Sequence, residues 1–315
     1  MAFKTEKTSV ATIIEENKRK NKYKQGLVEK SVPIFLFIMA IISILTTIGI
    51  VVTLLLETIT FFGRVHIIDF ITSKEWFPFF EADPQYGIMP LISGTLLVAL
   101  IAMLVAIPIG LATAIYLSEY ASERVRKVVK PILEVLAGIP TIVYGFFALT
   151  FVTPFLQKLV PDLNFFNALS PGIVVGIMII PMIASLSEDA MSAVPRSMRE
   201  GALALGSTKL EVSLKVVLPA ALSGIIASFV LGISRAIGET MIVTIAGGSK
   251  PNLTFDPTET IQTMTAYIVQ VSLGDASYGS TIYYSIYAVG MTLFIFTLIM
   301  NIIAQWISKR FREEY

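Results

Sequence analysis

The stretch GISRAIGETMIV, residues 232–243, places Arg235 and Glu239 four positions apart inside an apolar run from Leu218 to Ala246. At that spacing on one helix the two side chains share a face and can pair. An arginine at the centre of a membrane helix costs about 2.5–3.5 kcal/mol on insertion scales, and pairing lowers that cost without explaining the charge. Two readings are open, beside a misplaced helix boundary. The pair can be a neutralised bond between helices. Alternatively, both groups can line a water-filled path, where a guanidinium offers an oxyanion two parallel hydrogen bonds. Thr240 follows directly. Ser93, Thr95, Thr141 and Tyr144 are further polar residues in apolar segments. Each of their hydroxyls either bonds its own helix backbone or faces such a path. Gly232 and Gly238 are expected to permit close helix contact.

The elements that must position these residues are membrane helices. The chain has 315 residues, 55% of them hydrophobic and only 15% charged. Its mean hydropathy is +0.76. A soluble protein carries charge on nearer a quarter of its residues. A span needs about 20 apolar residues, and six segments qualify: roughly 32–56, 88–118, 131–153, 171–189, 218–246 and 282–307. The fold class expected is therefore all-α integral membrane, with six transmembrane helices. The third segment holds Gly138, Pro140 and Gly145, which predicts a bent or re-entrant helix. Glu188 and Asp189 are expected to end the fourth helix in water. Residues 1–30 read as a basic tail and 31–315 as the membrane domain. No cleavable leader is expected, because the first apolar run is too long for one.

Lysine and arginine are unevenly divided between the two sides. One side collects nineteen, from residues 1–30, the loops after the second and fourth helices, and the C-terminal tail. The other side has four: Arg64, Lys74, Lys158 and Lys250. By the positive-inside rule both termini face the cytoplasm. On the outer side, EWFPFFEADPQYG is expected to rest its aromatic rings among lipid headgroups, or to meet a partner protein. Net charge is +1, which gives no bulk attraction to nucleic acid. With no cysteine and one histidine, His66, thiolate metal sites, disulfides and histidine-rich metal sites are excluded.

The longest cytoplasmic connection, residues 188–224, reads as structured protein. Pro195 suits a helix start, and Met198, Gly201, Ala202 and Leu205 fall at helical spacing. Gly206 is a natural stop. Thr208 can cap the next helix with Glu211 in capping-box position, and Pro219 breaks that helix at the membrane. Small residues on an exposed helix suit either a close-packed partner or a lipid surface.

The pattern Glu200-Gly201-Ala202, three residues, Gly206, nine residues, Val216-x-Leu218-Pro219 resembles the EAA signature of ABC importer permeases. Gly201 and Val216 depart from it, each keeping a small or β-branched apolar residue. The runs 86–121, AGIPTIVYGFFAL at 137–149 and LGISRAIGETMIV at 231–243 resemble phosphate permeases of the PstC type. This resemblance implies a type I permease fold in a bacterial or archaeal cytoplasmic membrane. It implies a coupling region at 193–217, with Arg199, Glu200, Gly201, Ala202, Leu205, Gly206, Leu218 and Pro219 meeting an ATPase subunit. It also implies two such ATPases (PstB type) binding ATP and Mg, a PstA-type partner permease and a PstS-type phosphate-binding protein. Phosphate keeps a proton at neutral pH that sulfate lacks, so Glu239 could accept its P–OH hydrogen while Arg235 holds two oxygens.

The sequence has no G-x4-G-K-[ST] phosphate-cradling loop, so no cofactor site is expected in this chain and the energy source must be another polypeptide. The alternatives are an ABC permease for another oxyanion, such as sulfate or molybdate, and a transporter or channel working alone.

Overall fold

A computed structural model describes residues 10–80, 83–274 and 276–310. The chain divides into two compact units, residues 1–56 and 57–315, and the boundary falls within the first helix, α1 (Val10–Phe62). In the first unit the described side chains, from Ser31 on, are exposed almost throughout. Thr46, Thr47 and Thr53 each donate to the carbonyl four residues back. A hydroxyl satisfied by its own helix adds no uncompensated polar group to an apolar surface.

The second unit opens with a short helix, α2 (Ile67–Thr72), and a two-stranded hairpin. Its strands are β1 (Trp76–Phe77) and β2 (Gln85–Tyr86), with Trp76 opposite Tyr86. Two long helices then form the centre: α3 (Met89–Ile115) and, later, α7 (Leu169–Ser192). They make the most extensive helix pairing in the chain, and glycine is the reason they approach so closely. A Cβ at Gly172 would sit 2.7 Å from Ile101 Cγ2, and one at Gly176 only 2.8 Å from the Ala102 carbonyl oxygen. Packing of small residues takes the place of the hydrophobic drive that lipid cannot supply. Ala102, Ala106, Val174, Val175, Ile179 and Ile183 fill the seam and are buried.

Between α3 and α7 lie α4 (Glu123–Gly138), α5 (Thr141–Phe147) and α6 (Thr153–Gln157). The helix running from Thr141 to Gln157 leaves α4 at 87°, with the break at Ile139 and Pro140. The interruption predicted near Pro140 is therefore present, and the two halves together are long and apolar enough for one bent span. The basic, amphipathic stretch from Glu123 continues as helix to Gly138, and the more apolar half follows the break. Gly145 lies inside α5 and admits Ile245, whose Cδ1 would be 2.8 Å from an added Cβ.

After α7 come α8 (Arg196–Ala204), α9 (Lys209–Val212), α10 (Leu218–Ala220), α11 (Leu222–Ile237), α12 (Met241–Ala246), α13 (Met264–Leu273) and α14 (Thr281–Arg310). Five-residue π-helical turns interrupt the helices at Tyr116–Tyr120, Ala148–Val152 and Ser213–Val217. Among the described residues four helices are long and apolar enough to cross a membrane, and counting each bent pair as one span gives six. The apolar helix α13 was not foreseen. Its Met264, Tyr267 and Val271 are buried.

The outer aromatic cluster is not one lipid-facing patch. Trp76 is fully buried and Tyr86 nearly so, in edge-to-face contact with Phe61, Phe70 and Tyr267. Only Phe77, Phe79 and Phe80 point outward. Alternation along a strand explains the division between Trp76 and Phe77.

Candidate functional site

The apolar run around Arg235 is not one helix. α11 ends at Ile237, Gly238 is its C-cap, and α12 starts afresh at Met241. The Glu239 amide donates back to the Ala236 carbonyl at 3.3 Å. Its own carbonyl accepts from the Thr265 hydroxyl at 2.7 Å. Its Oε1 accepts from the Ile242 amide at 3.3 Å, so the carboxylate caps the first turn of α12. A negative group there complements the helix dipole.

The expected Arg235–Glu239 ion pair is therefore absent. The helix stops before Glu239, and the spacing of four no longer places both groups on one face. Glu239 is 8% exposed. Arg235 is exposed, and no carboxylate of the described residues lies within 4 Å of it. Tyr144 of α5 is buried and bears a hydroxyl. That hydroxyl donates to the Leu136 carbonyl at 2.8 Å, across the α4–α5 break. Thr141 is half-buried on the first turn of α5, and Thr240 donates to the Gly238 carbonyl at 3.2 Å.

The remaining candidates have local roles. Ser93 donates to the Pro90 carbonyl at 2.9 Å, and Thr95 to that of Leu91 at 2.7 Å. Thr95 also accepts from the Met264 amide, which ties α3 to the start of α13. Both are buried. Gly232 meets Ile179 and Ile183 of α7, as expected of a close-contact glycine, but an added Cβ at Gly238 would meet only its own helix backbone.

At the other end of α3, the segment 196–219 folds much as its sequence predicts. Pro195 is the N-cap of α8, and Gly206 follows its end at φ +88°. Glycine adopts that conformation without a Cβ penalty. Thr208 and Glu211 form the reciprocal capping box, with contacts of 3.3 and 3.1 Å. The Glu211 carboxylate is held down at about 2, first by the Thr208 backbone N–H and then by Lys215. Met198 and Ala202 pack inward against a buried cluster that includes Val194 and Val212. Glu200, Gly201 and Gly206 are exposed, and Leu205 is 90% exposed. Leu218 is half-buried and Pro219 exposed on α10.

Arg199 behaves differently from its exposed neighbours. Its guanidinium lies inward and holds Glu119 at 3.0 Å, the Val194 carbonyl at 2.6 Å and the Met191 carbonyl at 2.7 Å. Nearby, Glu188 does not end in water. It is 1% exposed, pairs with Lys130, and lies 3.6 Å from Arg126 Nε. Those two cations belong to α4, whose packing on α7 no local sequence pattern could reveal.

The site thus consists of a broken helix with an unpaired arginine and, beyond it, a short surface helix with an apolar tip. Such an arrangement within a polytopic helical bundle is that of a membrane permease subunit. The chain belongs to the binding-protein-dependent transport system inner membrane components, whose family profile matches residues 106–313. It is 36% identical over 243 residues to the probable ABC transporter permease protein YqgH of Bacillus subtilis, covering 77% of this chain and 78% of that one. It is 36% identical over 267 residues to the phosphate transport system permease protein PstC of Xylella fastidiosa, covering 77% and 79%. Among solved structures, a bacterial alginate ABC transporter shares the fold with TM-score 0.64 at 17% identity, covering 88% of this chain and 94% of that one. The MetNI methionine ABC transporter matches at 0.52 and 17%, covering 72% and 95%.

Proposed function

We propose that this chain is a membrane-spanning subunit of an ATP-driven importer of inorganic phosphate, and that it forms the translocation path with a homologous PstA-type permease. The observation that carries this reading is Arg235, exposed and without a carboxylate partner at a helix break inside a membrane segment. A bare guanidinium there is costly unless it meets water or an anion. Relatives bearing the name phosphate transport system permease favour phosphate over sulfate or molybdate. A guanidinium binds two phosphate oxygens in parallel. Glu239, fixed at the same break, is the carboxylate that would accept the P–OH hydrogen. Tyr144, Thr141 and Thr240 are the hydroxyls proposed for the rest of the path. Ser93 and Thr95, turned to their own backbone, drop out of the path.

Because the sequence has no phosphate-cradling loop, ATP and Mg belong to two PstB-type ATPase subunits, and this chain hydrolyses nothing itself. They would seat on the exposed side of α8, at Glu200, Gly201, Leu205 and Gly206. The charge asymmetry supports a cytoplasmic position for that end and for both termini. A PstS-type binding protein would deliver phosphate from the other side.

The test is uptake by the purified complex in proteoliposomes. Arg235→Gln is expected to lower phosphate uptake about tenfold or more, the order of a lost charge-assisted hydrogen bond, while the ATPase still co-purifies. Normal uptake in that variant overturns the reading. Sulfate uptake in place of phosphate favours the other-oxyanion permease, and uptake without ATPase subunits favours a lone transporter.

A further inference from the structure

We propose that Arg199 and Glu119 form a strap that fixes α8 to the end of α3, so that Arg199 is a positioning residue and does not contact the ATPase. The argument begins with how weakly α8 is otherwise held. It has nine residues and none of them is buried. Its apolar attachment is Met198 and Ala202, both only half-buried. Isolated helices of this length are marginal in water.

Arg199 supplies what apolar packing does not. Its side chain is 18% exposed and that of Glu119 11%. Both Nε and Nη2 reach the Glu119 carboxylate, at 3.3 and 3.0 Å. Nη1 also closes on the Val194 carbonyl, in the link between α7 and α8, and Nη2 on the Met191 carbonyl in the last turn of α7. One planar fork therefore joins α8, the end of α7 and the end of α3. Lysine carries its three donors on one nitrogen and lacks the planar fork that reaches acceptors in separate directions.

The anchor point on α3 is unusual. Glu119 lies in the π-helical turn Tyr116–Tyr120. Such turns are rare and concentrate at functional positions. The same turn is also gripped by Arg126 of α4, which donates to the Leu117 carbonyl at 2.6 Å and the Ser118 carbonyl at 3.2 Å. Arg126 and Lys130 in turn face the buried Glu188 of α7. A second π-helical turn, Ser213–Val217, follows α9. The surface helix is thus hung between two π-helical turns, and the first is held by two arginines, Arg199 and Arg126. Movement of α8 passes through Glu119 into α3 as a rigid connection, without slack.

Hydrogen exchange on the purified complex tests the strap directly. Arg199→Gln and Glu119→Gln are each expected to speed amide exchange across residues 198–207 by about tenfold. The double variant should go no further than Arg199→Gln alone, because both remove one shared contact. Arg199→Lys should fall between wild type and Arg199→Gln. Unchanged exchange in the single variants, or two effects that multiply in the double variant, overturns the proposal. This measurement needs neither phosphate nor ATP, so it can fail separately from the functional reading. The consequence for transport does rest on that reading. Arg199→Gln should keep the ATPase bound and its KM for ATP unchanged, yet deliver about fivefold or more less phosphate per ATP, the order of a pairwise coupling energy. An unaltered ratio would sink that part.

Discussion

Glu239 Oε1 accepts the amide hydrogen of Ile242 at 3.3 Å, and through this bond a carboxylate in a membrane segment holds a helix break in place. The break leaves Glu239 bonded to backbone, and no ion pair forms between it and Arg235. Removing the acceptor should therefore differ from removing the charge. Glu239→Gln keeps an oxygen for the Ile242 amide and should leave thermal unfolding of the complex near wild type. Glu239→Ala should cost about 0.5–2 kcal/mol, as lost N-caps do. Equal melting temperatures for the two variants would contradict the capping role.

The right-angle turn between α4 and α5 is closed by Tyr144, whose hydroxyl donates to the Leu136 carbonyl at 2.8 Å. Tyr144→Phe deletes that single bond and little else. It should destabilise the complex by about 1 kcal/mol. Spin labels on α4 and α5 should report a broader distance distribution, and an unchanged distribution would show that Pro140 sets the angle alone.

Gly176 marks where α7 lies against α3. Because an added Cβ would come within 2.8 Å of the Ala102 carbonyl oxygen, Gly176→Ala should cost about 1–3 kcal/mol through overpacking, and Gly176→Leu should prevent the complex from accumulating in membranes. Gly138→Ala is the matched control, since a Cβ there meets nothing within 4 Å. Quantitative blotting of both variants checks the contrast.

The capping box at Thr208 and Glu211 has a defined acid limit. The Glu211 carboxylate is lowered from 4.5 to about 2 by the Thr208 N–H and Lys215. A depressed folded value means the contribution is complete above about pH 4.5 and disappears as pH falls toward 2. Protection of the Glu211 amide against exchange, corrected for intrinsic rates, should decline across that window. In Glu211→Gln it should stay flat.

Much of this molecule was legible from local pattern. Pro195, Gly206, Thr208 and Glu211 announced α8, its stop and the next cap, because caps and left-handed glycines are set by neighbours in sequence. The apolar runs announced the spans for the same reason. What failed was long-range. Glu188 was expected in water, yet Lys130 and Arg126 come to it from a helix about sixty residues earlier in the chain. Spacing alone assigned Arg235 and Glu239 to one face, and the Gly238 break undid that. Arg199 stood inside a recognisable motif and so was read as outward-facing. Only the fold shows its partner, Glu119, eighty residues away.

Trp76, sealed among Phe70, Tyr86 and Tyr267, has a practical consequence. The chain holds just one other tryptophan, Trp306, which is 61% exposed. The hairpin therefore carries its own optical reporter. Any event that pries β1 from α13 would shift the indole emission to longer wavelength, with no dye attached.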